Sequence, residues 1–179
     1  MKRVVTAYIL LSATGMLQGQ TSKRIQRDAF DVVGLAARTT NADEAGPNGV
    51  IPRLWQRLMS QDLLQEIPDK GDADIYAVYT EYASDENGAY TFVLGAKVKP
   101  GAAVPDGFRK LRVPAASYIV FTTARGPVEK VVPAEWRLVW NAFPVEGAVH
   151  RAFRADFELY GKAAQDPKNA QVDIYVGIQ

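Results

Sequence analysis

The chain has 179 residues, of which 47% are hydrophobic and 23% are charged, and its formal net charge is +1. This is the balance of an ordinary globular domain, and so small a net charge gives no general attraction to nucleic acid or to anionic membranes. Because the sequence has no cysteine and only one histidine, His150, it excludes disulfides, thiolate nucleophiles and histidine-rich zinc sites.

The N-terminal segment has the pattern of an export signal. Lys2 and Arg3 precede an apolar run from Val4 to Leu17, and a polar stretch begins at Gln18. A charged start with a short apolar core is typical of a secretory signal peptide, and the run is too short to span a bilayer. We therefore predict a signal peptide and short linker over residues 1–24, no membrane insertion after processing, and a periplasmic or secreted protein. The alternative is a cytoplasmic protein in which this segment packs on the domain.

The first half of the predicted domain, residues 28–100, gives a strand, a helix and two strands. Residues 30–39 are rich in β-branched and small apolar residues, which predicts a strand, and residues 40–49 are predicted to be a loop. Pro52 lies where a first helical turn tolerates proline, and apolar residues follow it at helical spacing. Strands are predicted at 75–83 and 90–99, with a hairpin loop between them.

The second half, residues 108–179, repeats that order. A strand is centred on residues 117–122, Pro133 is predicted to open a helix, and strands follow at 153–161 and 172–178. The two helices align at a constant offset of 81 positions; the matched positions are Pro52, Trp55, Leu58 and Met59 with Pro133, Trp136, Val139 and Trp140. This pattern predicts an internal duplication. The expected fold is α+β: two strand–helix–strand–strand halves that form a curved antiparallel sheet with two helices on one side.

Alternation in the last two strands suggests where a site could lie. Residues 153, 155, 157 and 159 are apolar and predicted to face the core, which leaves Glu158 and Tyr160 on the other face. In the next strand the apolar residues 172, 174, 176 and 178 are assigned to the core, so that Asp173 and Tyr175 are predicted to share the face of Glu158. The alternative is a solvated sheet face with scattered tyrosines.

Several segments together resemble one known family. They are residues 30–39, Leu54-Trp55, the hairpin from Ile75 to Gly95, Val113-Pro114-Ala115, the helix from Trp136 to Trp140, and Asp156-Phe157-Glu158-Leu159-Tyr160. In order and spacing they resemble GyrI-like domains, also called AraC-type effector-binding domains, over residues 30–178. The resemblance implies two strand–helix–strand–strand halves around a central groove that binds small molecules.

The resemblance also implies a set of ligand-binding residues. Members of the family hold lipophilic cations between aromatic walls with an acidic residue on a late strand, and Glu158 falls at that position. Asp173 is a second candidate carboxylate, and the candidate walls are Tyr82, Tyr160, Tyr175, Trp55 and Trp140, whereas Trp136 could instead be core packing. The expected partner is a cationic or aromatic small molecule, and no cofactor or metal is predicted.

Two other functions stay open at this point. Some GyrI-like proteins hydrolyse strained cyclopropane groups, and here Glu158 could act as a general base. A protein-interaction or inhibitor role, as with gyrase, is the third reading and would favour an exposed aromatic surface. Fewer than 30 residues precede Phe30, so we expect no helix-turn-helix module and no direct DNA binding by this chain.

Overall fold

The structure is a computed structural model, and it describes residues 23–143 and 149–179. Except for Lys23 and Arg24, the predicted signal peptide and linker lie outside the described residues, so the export signal stays a prediction. Within the described part of the chain, no helix combines the length and the apolar character needed to cross a membrane.

Eight strands form one antiparallel sheet. They are β1 (Lys23–Arg27), β2 (Phe30–Thr39), β3 (Ile75–Thr80), β4 (Tyr90–Val98), β5 (Arg109–Val113), β6 (Ala116–Thr122), β7 (Ala155–Tyr160) and β8 (Asp173–Ile178). Their order across the sheet is β1-β6-β8-β7-β3-β4-β2-β5. The predicted α+β fold with a curved antiparallel sheet is confirmed.

The strand order is symmetric about the β7–β3 pair. On one side lie β8, β6 and β1, and on the other lie β4, β2 and β5, so that equivalent strands of the two halves occupy equivalent places. In the central pair Ala77 lies opposite Glu158, and these two positions are themselves 81 apart. This is the order that a duplicated chain would give, although the duplication itself remains a prediction.

The two outermost strands exchange partners between the halves. β1 precedes β2 in the chain but pairs with β6, and β5 precedes β6 but pairs with β2. Sequence patterns did not predict β1 or β5, because both are short, rich in Lys and Arg, and lie at a sheet edge, where no clear apolar alternation develops.

One face of the sheet, which we call the inner face, is buried by the curvature of the sheet. Phe30 on β2 contacts Phe157 on β7 with ring centroids 5.5 Å apart, although two strands lie between them. In a flat sheet those strands would be about 14 Å apart. Val78, Phe157 and Tyr118 on this face are fully buried.

The opposite face, which we call the helix face, carries α2 (Ile51–Ser60) and α3 (Val128–Ala142). Leu58 of α2 packs on Leu35 and Phe92, and Val139 of α3 packs on Ile174. A short helix, α1 (Asn41–Glu44), lies in the predicted loop before α2. Both helices of the prediction are therefore present, one over each half of the sheet.

The start of α3 differs from the prediction. Pro52 lies in the first turn of α2, as predicted. Pro133, however, lies inside α3, which begins five residues earlier at Val128. Because proline lacks a backbone N–H, Pro133 removes one hydrogen bond from the interior of α3. β7 also begins later than predicted, at Ala155, and Phe153 stands outside it with a left-handed φ of 47°.

Two glycines face each other where β2 pairs with β4. Gly34 of β2 lies opposite Gly95 of β4, and a Cβ atom added at Gly34 would stand 2.3 Å from the carbonyl oxygen of Leu94. We expect Gly34→Ala to lower the free energy of unfolding by about 1–3 kcal/mol, because the two backbones must separate. Gly46→Ala is the matched control, since its Cβ would meet nothing closer than 3.5 Å. Equal urea midpoints for the two variants would contradict this account.

Candidate functional site

A cavity of about 1150 Å³ lies between α2 and α3, above the central strands β3 and β7. Aromatic side chains from both halves line it; they are Trp55, Tyr79, Tyr82, Tyr90, Trp136, Trp140 and Tyr160. Two large apolar side chains stand at the exposed part of the cavity, because Met59 is 60% exposed and Trp140 is 44% exposed while both line it, beside exposed charged residues such as Glu129 and Lys162. The arrangement suits a large apolar ligand.

The Glu158 carboxylate lines this cavity from the centre of the sheet. β7 turns it to the helix face, where the side chain is only 2% exposed. Its Oε1 accepts hydrogen bonds from the Tyr79 hydroxyl (2.7 Å) and the Trp136 indole Nε1 (2.6 Å), and its Oε2 accepts one from the Tyr160 hydroxyl (2.6 Å). All three donors are neutral, so the carboxylate is positioned without being neutralised.

Burial has the largest effect on the pKa of Glu158. Desolvation raises its pKa, and the hydrogen bonds from Tyr160, Trp136 and Tyr79 oppose that rise without cancelling it. Burial and the neighbouring carboxylate raise the pKa values of Tyr79 and Tyr160 well above the ordinary value, so both stay protonated donors. Among residues 23–143 and 149–179, no lysine or arginine forms an ion pair with Glu158.

Asp156, in the same strand, is a buried carboxylate that does have a cationic partner. It is fully buried and accepts hydrogen bonds from the Arg151 guanidinium (2.7 Å), the Tyr82 hydroxyl (2.7 Å) and the Gly177 backbone N–H (2.7 Å). Its charge is therefore balanced by Arg151. Asp156 anchors the segment that leads into β7, whereas Glu158, two residues later, has no such cation.

Five of the seven predicted site residues line the cavity: Glu158, Tyr82, Tyr160, Trp55 and Trp140. Tyr82 and Tyr160 both have their hydroxyl groups turned to carboxylates. The structure thus brings together residues from α2, α3, β7 and the end of β3, which are distant in the sequence.

The predicted placement of Asp173 and Tyr175 beside Glu158 is wrong. In the β7–β8 pair, Glu158 lies opposite Ile174, and Phe157 lies opposite Tyr175. Directly paired residues share a face, so Asp173 and Tyr175 belong to the inner face. Tyr175 stacks there on Phe157 with centroids 4.4 Å apart, and Asp173 accepts a hydrogen bond from Thr122. The error arose because both faces of β8 are buried, so that apolar alternation did not identify one core face.

Sequence reasoning missed three of the aromatic residues that line the cavity, Tyr79, Tyr90 and Trp136. Trp136 was considered as core packing, yet its indole N–H donates to Glu158. The helix alignment contained a signal for it, because Trp136 matches Trp55, which was a candidate wall. Tyr79 could have been found in the same way, since it is offset by 81 positions from Tyr160.

Comparison with known proteins gives the family. The model of a family described as "Integron-associated effector binding protein" matches residues 25–178. The chain belongs to this family. Its likeness to the Bacillus subtilis protein YobU, a proposed transcriptional regulator, is 36% identity over 147 residues, which cover 82% of this chain and 90% of YobU.

Solved structures share the fold of this chain. The integron cassette protein VCH_CASS2 of Vibrio cholerae has a TM-score of 0.68 and 28% identity, with 88% of this chain and 95% of that chain covered. SAV2435 bound to tetraphenylphosphonium has a TM-score of 0.70 and 18% identity, with 88% and 93% covered. The predicted GyrI-like effector-binding fold is confirmed, and the general role of such a family is to bind small molecules.

The stability of this effector-binding chain should respond to the charge of Glu158. We expect Glu158→Gln to be at least as stable as the parent at neutral pH, because glutamine still accepts hydrogen bonds but buries no charge. A raised pKa in the folded state costs stability above that pKa, and the cost vanishes below the ordinary glutamate pKa. The advantage of the variant should therefore shrink as pH falls between those two values.

Urea unfolding of both proteins across that pH range measures the effect. A variant less stable than the parent at neutral pH, but equal to it in acid, would show that the ionised carboxylate stabilises the fold.

Proposed function

We propose that the chain binds lipophilic cations in the cavity between α2 and α3, with Glu158 as the counter-ion. The observation that carries this proposal is a carboxylate that is 2% exposed and held by three neutral donors, with no ion-pair partner in the described residues. A charge buried in this way is costly alone, and a cation that enters the cavity removes much of that cost.

The walls of the cavity favour the same ligand class. Trp55 packs edge-on against Tyr160 with centroids 4.7 Å apart, and Tyr79 packs in the same way against Trp136 at 5.2 Å. A cation over such rings gains roughly 0.5–2 kcal/mol per contact from the ring electrons. Lipophilic groups around the charge would meanwhile bury apolar surface at about 25 cal/mol per Å².

The size of the cavity points to a bulky ligand. Its volume of about 1150 Å³ lies slightly above the range typical of small-molecule sites, roughly 300–1,000 Å³. The exposed Met59 at the mouth adds a flexible, polarisable surface that adapts to ligands of different shape. The binding of tetraphenylphosphonium by the similarly folded SAV2435 supports a multi-ring cation as the test ligand.

Tetraphenylphosphonium should bind the full chain, and Glu158→Gln should weaken that binding about thirtyfold or more, corresponding to ~2 kcal/mol. Titration calorimetry measures both affinities. Glu129→Gln is the matched control, because Glu129 also lines the cavity but is exposed to solvent, so its change should have little effect. If the parent and Glu158→Gln are both folded and bind with equal affinity, the proposed role of the carboxylate is contradicted.

Binding should also depend on pH. A proton and the ligand compete for the Glu158 carboxylate, whose pKa is raised by burial. Affinity for a permanently charged cation should be constant above that raised pKa and fall by up to tenfold per pH unit below it.

The control for this pH dependence is the weak residual binding of Glu158→Gln, which should show no such slope. A parent protein whose affinity is flat from neutral pH to below the ordinary glutamate pKa would contradict the proposal.

A further inference from the structure

The two halves build a nearly symmetric frame of aromatic side chains around the cavity. The pair Tyr79 and Trp136 is repeated by the pair Tyr160 and Trp55, at interplanar angles of 67° and 65°. Tyr79 and Tyr160 are equivalent positions of β3 and β7, and both donate their hydroxyl hydrogen to Glu158. Each half therefore supplies one tyrosine and one tryptophan in matching places.

This symmetry is broken at one position. Glu158 of β7 lies directly opposite its equivalent, Ala77 of β3, in the central strand pair. The central strand pair thus presents one carboxylate to the cavity where a symmetric frame would present two. Ala77 is fully buried and offers no side-chain acceptor.

Because β3 has Ala77 at the position equivalent to Glu158, the indole N–H groups of the two tryptophans differ in their hydrogen bonding. Trp136 donates its indole N–H to Glu158 at 2.6 Å. Trp55 has the equivalent place on α2, but no oxygen in residues 23–143 and 149–179 accepts a hydrogen bond from its indole nitrogen. Trp55 is half-buried and lines the cavity, so a molecule inside the cavity lies within reach of its side chain. Removing this donor from water without giving it a partner would be unfavourable.

We propose that the indole N–H of Trp55 is a second recognition point, which takes a hydrogen-bond acceptor such as a carbonyl oxygen on the bound cation. This inference rests on the proposed function, since it assumes that the cation lies at Glu158. The ligand class is then narrower than a lipophilic cation: it carries one positive centre and, on the Trp55 side of it, one neutral oxygen acceptor. Together, the Glu158 carboxylate and the Trp55 indole N–H also fix the orientation of the ligand in the cavity.

The test uses two series of triphenylphosphonium cations that differ in one group. In the first series an alkyl arm carries a ketone at successive positions, and in the second a methylene replaces the ketone carbonyl. For the best arm length, the ketone should bind the parent protein about threefold to tenfold more tightly than its methylene partner, as one net hydrogen bond predicts. Titration calorimetry gives the affinities.

Trp55→Phe separates hydrogen bonding from packing. Phenylalanine keeps an aromatic ring against Tyr160 but has no N–H, so the ketone preference should disappear while the methylene cation keeps most of its affinity. Trp136→Phe is the matched control on the other half, and it should keep the ketone preference even if all cations bind differently. Thermal unfolding of each variant checks that the protein is folded.

The outcomes distinguish this inference from the proposed function. If the methylene cations bind but no ketone gains affinity, the role of Trp55 is overturned and cation binding stands. If the preference survives in Trp55→Phe, another donor is responsible and the inference is equally wrong. If neither series binds at all, the proposed function itself fails, and this inference fails with it.

Discussion

The site depends on the burial of one unneutralised carboxylate. Glu158 is kept in place by Tyr79, Tyr160 and Trp136, which satisfy its hydrogen bonds but not its charge. Inside a protein the missing counter-charge is expensive, because water no longer screens it. The aromatic side chains around Glu158 leave it only 2% exposed, and so they maintain the electrostatic cost that a cation would relieve. Affinity for a cation and a loss of intrinsic stability then have the same origin.

Much of the fold could be predicted from the sequence because its signals are local. The apolar run of β2, the hairpin of β3 and β4, and the proline in the first turn of α2 each show their pattern in one continuous stretch of the chain. The edge strands β1 and β5 could not be found in this way, because their pairing partners lie in the other half and few of their side chains enter the core. The start of α3 was misplaced because a proline in a helix interior looks, in sequence, like a helix start.

Part of the site could also be predicted, because some of its residues have local sequence signals. Glu158 and Tyr160 follow from alternation within β7 together with the family resemblance, and both are on the expected face. Asp173 and Tyr175 were misplaced because a strand buried on both sides has no polar face, so that only the register against β7 assigns them. Trp136 and Tyr79 required the long-range geometry of the two halves, which no single segment reveals.

The exchange of edge strands between the halves has a consequence for how the chain can come together. Since β1 pairs with β6 and β5 pairs with β2, the first half has all its strands only after β5 has been synthesised, and the second half uses β1, which precedes the whole first half in the chain. Contacts of such large sequence separation slow the search for the native state. The exchange also links the two halves into one cooperative unit, because unfolding either half would remove an edge strand from the sheet of the other. Although the sequence suggests two separate modules, the two halves are therefore expected to fold and unfold as one unit.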